Sequence, residues 1–181
     1  MGVATSLLTV EEFLQFPEKP GWKRELREGV VVEMSGAHFG HEIVKSNVIQ
    51  PLAVYLETRP IGRVFSEAMF VLGRAEAYIP DVAVLLSERM AAADRSQHPQ
   101  CAPDLAVEIV SSEAAADLEH KVRSYLRHGS HAVWVAYPNE RVVYAYDAQG
   151  GCRILDKGKT LEAPDLLPEF ALPVARVFAG L

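Results

Sequence analysis

Asp81, Glu108 and Lys121 are the residues of this chain whose types and settings could do chemistry. Asp81 heads a strand-like run, Pro80-Asp81-Val82-Ala83-Val84-Leu85-Leu86. Glu108 interrupts an apolar one, Leu105-Ala106-Val107-Glu108-Ile109-Val110. A buried carboxylate without a partner costs several kcal/mol, and a divalent cation satisfies two of them at once. Lys121 lies one helical turn after Asp117 and one before Tyr125. It falls on the edge of the apolar stripe Leu118, Val122, Tyr125, from which a long side chain reaches under the helix toward a sheet. Two carboxylates and a lysine converging on one strand edge are equipped for phosphodiester hydrolysis. The carboxylates hold Mg²⁺ or Mn²⁺ against the phosphoryl oxygens, and the lysine orients or deprotonates water and offsets the charge growing on phosphate.

The elements that must position these residues follow from local signals. Thr9-Val10-Glu11-Glu12 reads as a capping box opening a short helix that Pro17 closes. Residues 22–35 predict two strands meeting at Glu28-Gly29. His41, Val44, Val48, Leu52 and Tyr55 recur at helical spacing and predict a helix over 37–57, with Pro51 expected to kink it. Strands are expected over 62–72, where one bent strand would fit, and over 79–86, separated by a turn at Gly73-Arg74-Ala75-Glu76. The polar stretch 87–104 reads as a surface segment that is irregular or bears a helix. A buried strand over 105–110 leads to a helix opened by Ser112-Glu113 and ended by Gly129. Strands over 131–137 and 141–147 come next. Pro164, Pro168 and Pro173 predict little regular structure in the tail before a final turn near Val177. The order is that of a mixed α/β domain spanning 1–181. Its strand–helix–strand unit between Leu105 and Tyr137 implies two parallel strands.

Composition sets the outer limits. With 181 residues, 49% of them hydrophobic and 23% charged, the chain suits one ordinary globular domain. A net charge of −6 provides no global basic field for nucleic acid or anionic lipid. Cys101 and Cys152 are too few for a disulfide framework. No window approaches the ~20 apolar residues of a spanning helix. The first residues lack the basic flank and apolar core of a secretory signal, so a cytoplasmic protein without membrane contact is expected. Glycine-rich nucleotide loops, serine elbows and zinc-ligand spacings are absent.

Pro80-Asp81, then Val107-Glu108-Ile109-Val110-Ser111, then Asp117-x-x-x-Lys121-x-x-x-Tyr125 with Gly129, resemble the Uma-two family of putative restriction endonucleases, within the PD-(D/E)xK nuclease superfamily. The Glu28-Gly29 hairpin leading to Met34, His41 and the closing Leu167-Pro168-Glu169-Phe170 extend the likeness over most of the chain. The superfamily lysine follows the second acid by two positions on one strand. Val110 stands there, and the resemblance moves the lysine to the next helix, at Lys121. It implies a restriction endonuclease-like domain, a central mixed sheet flanked by helices with an N-terminal hairpin, and a metal-dependent DNA endonuclease. Asp81 and Glu108 would hold Mg²⁺ or Mn²⁺, Lys121 would act on water, and a homodimer would present two sites to a duplex. Two stretches depart from the family pattern, His131-Ala132-Val133-Trp134 and Ala136-Tyr137-Pro138. They bear on substrate or partner contacts more than on the core chemistry.

Each residue also has a plainer reading. Asp81 could cap a turn. Glu108 could face solvent on a one-sided sheet. Lys121 could be an exposed lysine paired with Asp117. His41 is either a supporting group or a core histidine, and Glu67 a third acid or an edge-strand solvent position. Asp117 either orients Lys121 or is a helix-start charge. Tyr125 reads as packing, Arg123, Arg127 and His128 as a solvated face, and Glu11, Glu12 and Glu25 as ordinary surface. The rival to an enzyme is a catalytically inactive module on the same fold that binds nucleic acid or protein.

Overall fold

The computed structural model describes residues 7–17, 19–36, 38–111 and 115–181. Helix α1 (Val10–Phe13) begins with the expected capping box. Thr9 Oγ1 accepts the Glu12 N–H at 3.3 Å, and Glu12 Oε2 accepts the Thr9 N–H at 2.8 Å. The predicted hairpin follows as β1 (Trp22–Arg27) and β2 (Val30–Ser35). Its turn residues Glu28 and Gly29 sit at φ 47° and 80°, the left-handed pair that a tight hairpin turn requires. Helix α2 (Phe39–Thr58) continues through Pro51 and buries His41, Val44, Val48, Leu52 and Tyr55, the stripe read from spacing.

Between residues 62 and 86 the chain is more broken than its pattern suggests. The strand expected over 62–72 is two, β3 (Gly62–Ser66) and β4 (Phe70–Gly73). The one expected over 79–86 is preceded by a separate strand, so that β5 (Glu76–Tyr78) and β6 (Val82–Leu86) flank a break at Ile79-Pro80-Asp81. Glu67 adopts φ 54°, and Pro80 has no N–H to give a ladder. At both points the chain leaves one sheet for another. The Glu67 N–H reaches the Asp81 carbonyl at 3.4 Å, so the two breaks lie side by side and form a corner carrying Asp81.

The polar segment holds α3 (Ser87–Ala92). Strand β7 (Leu105–Ile109), helix α4 (Ala115–Arg127) and strand β8 (Ala132–Tyr137) form the predicted crossover, with β7 and β8 parallel. Ser112 and Glu113, expected to open that helix, lie outside the described residues. After β9 (Val142–Asp147) the tail departs most from expectation. It contains β10 (Cys152–Leu155), β11 (Thr160–Ala163), β12 (Leu167–Pro173) and α5 (Val174–Val177). Strands β11 and β12 pair only with each other, so both are edges, and edges tolerate proline. Phe170 of this hairpin packs between Tyr55 and Trp134, with ring centroids 5.4 and 6.1 Å away.

The central sheet is mixed, in the order β10-β9-β8-β7-β6-β3, and a second sheet runs β2-β1-β5-β4. Alternation divides the central strands between two cores. Val82, Val84, Leu105, Val107 and Trp134 pack with α2, α5 and the final hairpin. Ala83, Leu85, Ala106, Val133 and Val135 pack with Leu118, Val122 and Tyr125 of α4. Glu108 has the parity of Ala106 and therefore faces α4. Strand β6 pairs Val82 with Val107, and one further step of that register sets Asp81 opposite Glu108.

Glu76 fastens α4 to the smaller sheet. Its carboxylate accepts the Ser124 hydroxyl at 2.7 Å and the Arg127 guanidinium at 3.0 Å on each oxygen. Burial alone would raise this carboxyl, but the Ser124 hydrogen bond and the Arg127 charge outweigh it and hold it below its ordinary 4.5. A carboxyl depressed by folding contributes stability above its unfolded pKa and loses it as pH falls through the lower folded value. The melting temperature of wild type should therefore exceed that of Glu76→Gln near neutral pH, with the gap closing below about pH 4. Thermal melts from pH 7 downward check this, and a gap independent of pH would contradict it.

Candidate active site

The corner at Asp81, the middle of β7 and the inner face of α4 meet in a cleft of about 350 Å³. Asp81 Oδ2 accepts the Ile109 N–H at 2.8 Å, which ties the corner to β7. His41 Nε2, from α2, lies 3.0 Å from the same oxygen. Glu108 is 3% exposed and Lys121 2%. Lys121 Nζ donates to Glu108 Oε2 at 2.8 Å, and the Tyr125 hydroxyl donates to Glu108 Oε1 at 2.8 Å. Burial first, then the charges of Glu108 and Glu25, push the Tyr125 phenol well above its usual range, so it stays a donor. Lys121 is no surface lysine paired with Asp117, and Tyr125 does more than pack.

Glu25 corrects the sequence reading most sharply. Expected as ordinary surface, it is fully buried. Its Oε1 lies 3.1 Å from Lys121 Nζ and accepts the Ile79 N–H at 2.9 Å. Its Oε2 accepts Arg27 Nε at 3.0 Å and Nη2 at 2.7 Å. A single carboxylate thus joins β1, the linker before Asp81 and α4. The signal available was the Glu25–Arg27 spacing, which puts opposite charges on one face of a strand. It carries weight only once that face is known to be covered.

The remaining candidates divide. Glu67 stands beside the Asp81 backbone, but its side chain turns to Lys45 at 2.5 Å and Lys23 at 2.9 Å. Burial would raise its carboxyl, and the two lysines outweigh that and lower it. It is not among the described residues that line the cleft. Asp117 lines the cleft, its Oδ2 3.9 Å from Arg27 Nη1. Arg127 and His128 are bound to Glu76 rather than merely solvated, with His128 Nε2 at 3.5 Å.

Among the described residues, no three His, Cys, Asp or Glu side chains form a group able to hold a metal ion. The hard oxygens of Asp81 and Glu108 suit instead an ion that takes one or two carboxylates and completes its shell from water and phosphate, as Mg²⁺ and Mn²⁺ do. No helix among the described residues is long and apolar enough to cross a membrane.

Sheet order, crossover and corner together define a nuclease-like fold. A crystal structure titled as "a putative nuclease belonging to DUF820" from Anabaena variabilis matches with a TM-score of 0.85 at 22% identity, over 95% of this chain and 98% of that one. The chain belongs to the Uma2 family, described as "Putative restriction endonuclease", whose model matches residues 10–175. The uncharacterized protein sll1609 of Synechocystis sp. (strain PCC 6803) is 30% identical over 112 residues, 61% of this chain. The chain spans 63% of the length of that curated relative.

Proposed function

We propose that the protein is a metal-dependent nuclease that hydrolyses phosphodiester bonds of DNA. The observation that supports this best is Lys121 of α4 meeting Glu108 of β7 where that glutamate stands opposite Asp81. Asp81 and Glu108 would hold Mg²⁺ or Mn²⁺, which supplies Lewis acidity to a phosphoryl group. The chain's own residues do the rest. The Ile109 N–H and His41 fix Asp81. Tyr125 fixes one oxygen of Glu108 while Lys121 donates to the other. Glu25 lies 3.1 Å from the Lys121 ammonium and helps hold it at the cleft, where its positive charge would offset charge developing on phosphate.

One observation favours the rival reading of an inactive binding module, namely that both oxygens of Glu108 already have partners within the protein. Incubating supercoiled and single-stranded DNA with the protein and Mg²⁺ or Mn²⁺, beside calorimetric titration with Mn²⁺, separates the two. The nuclease reading expects cleavage that chelation abolishes. Absence of both cleavage and Mn²⁺ binding would leave the binding module.

A further inference from the structure

Trp22 lines the same cleft with 45% of its surface exposed, outside every apolar cluster of the described residues. What holds its ring is a cation. Lys19 Nζ lies 4.1 Å from the ring centroid and is itself held by Glu33 at 2.6 Å. Phe39, which opens α2 beside the cleft-lining His38, is 81% exposed. Both rings stand at the cleft edge with a face available to an unstacked base.

A second hollow of about 480 Å³ adjoins the first, sharing His38, His41 and Ser111, and reaches Asn139 and Arg141 at the β8–β9 turn. Asp81, Glu108 and Lys121 therefore belong to a longer track, with Trp22 and Lys23 in one hollow and Arg141 in the other. Charge argues against a duplex in it. Duplex affinity comes largely from cations set along the phosphates. The first hollow has three lysine and arginine side chains against four carboxylates among its described lining residues, in a chain of net charge −6. Stacking on an aromatic ring needs no such field.

We propose that the track takes a single strand of nucleic acid, one base stacked on the Trp22 indole and a phosphate near Arg141, so that the strand is cut within its length rather than at an end. The cut rests on the nuclease reading; the binding does not. A single strand needs only one cleft, so the homodimer expected from resemblance is not required.

Binding is tested without metal, by titrating the protein with oligothymidylate and following tryptophan fluorescence. Trp134, the other tryptophan, is 1% exposed and provides a constant background. Quenching that disappears in Trp22→Phe is expected. Trp22→Ala should weaken binding by roughly 5- to 100-fold, and Arg141→Ala should reduce the salt dependence by about one phosphate contact. With Mn²⁺, circular single-stranded DNA should be cut faster than the same sequence as duplex. Equal binding and cutting of duplex would overturn the proposal, as would unchanged oligonucleotide affinity in Trp22→Ala. A Trp22→Ala protein that loses only self-association in sedimentation would assign the ring to a contact between copies, which also overturns it. Trp22-dependent binding with no cleavage of any DNA would remove the nuclease reading and leave the strand site standing.

Discussion

Lys121→Met should lower the melting temperature by roughly 6–20 °C and abolish cleavage. The ammonium lies 2.8 Å from Glu108 and 3.1 Å from Glu25, with all three side chains almost wholly buried. Removing one partner of a buried ion pair costs about 3–5 kcal/mol, because the remaining charge stays out of water. A domain of this size moves about 2–4 °C per kcal/mol. Glu25 keeps Arg27 at 2.7 Å, while Glu108 loses the ammonium that now lies 2.8 Å from it. Adding Glu108→Gln to Lys121→Met should therefore restore part of the stability although a second native residue is gone. Circular dichroism melts of the two single variants and the double variant measure that coupling. A double variant weakened by the sum of the two singles would show that these groups do not act on one another.

Glu108→Gln alone should separate chemistry from folding. The amide has nearly the shape of the carboxylate, and its carbonyl can still accept the Tyr125 hydroxyl now at 2.8 Å. Lys121 retains Glu25. The melting temperature should fall by only a few degrees, far less than in Lys121→Met. Cleavage should fall on the order of 10³-fold or more, since a cation held by one carboxylate instead of two loses several kcal/mol of transition-state stabilisation. Cleavage by Glu108→Gln within tenfold of wild type would take Glu108 out of the chemistry and leave it a structural partner of Lys121.

The parts of this molecule written in local spacing were readable in advance. The Thr9 capping box, the Glu28-Gly29 hairpin, the α2 stripe and the β7–α4–β8 crossover each rest on residues a few positions apart. Glu108 stood out because a charge inside an apolar run is anomalous without reference to anything distant. Asp81 and Lys121 gained their weight from the family resemblance, and the structure brings all three to one cleft. What escaped depends on partners far along the chain. Glu25 looks like surface because β1 is rich in charge, and only the packing of α4 across that strand makes it interior. Glu67 could be read only as a third acid or a solvent-facing edge position, because Lys45 and Lys23, which take up its carboxylate, lie on other elements. The tail misled through its prolines, which forbid a central strand but not a hairpin with two free edges.

The bridge made by Glu25 also bears on the order in which the molecule assembles. The β7–α4–β8 unit is local in sequence, and such contacts close early. Besides its ladder to β5, strand β1 is tied through Glu25 to the Ile79 amide and to Lys121, some fifty residues away along the chain for the first and nearly a hundred for the second. Until it docks, Lys121 remains open to water on that side. Docking of β1 sets the ammonium between two carboxylates, so release of the hairpin sheet would reopen the site on that side. In amide exchange such a molecule divides into a slow core around β7 and β8 and a faster unit at β1 and β2. The first cleft is complete only with both closed, since Trp22, Lys23 and Arg27 line it beside Glu108 and Lys121.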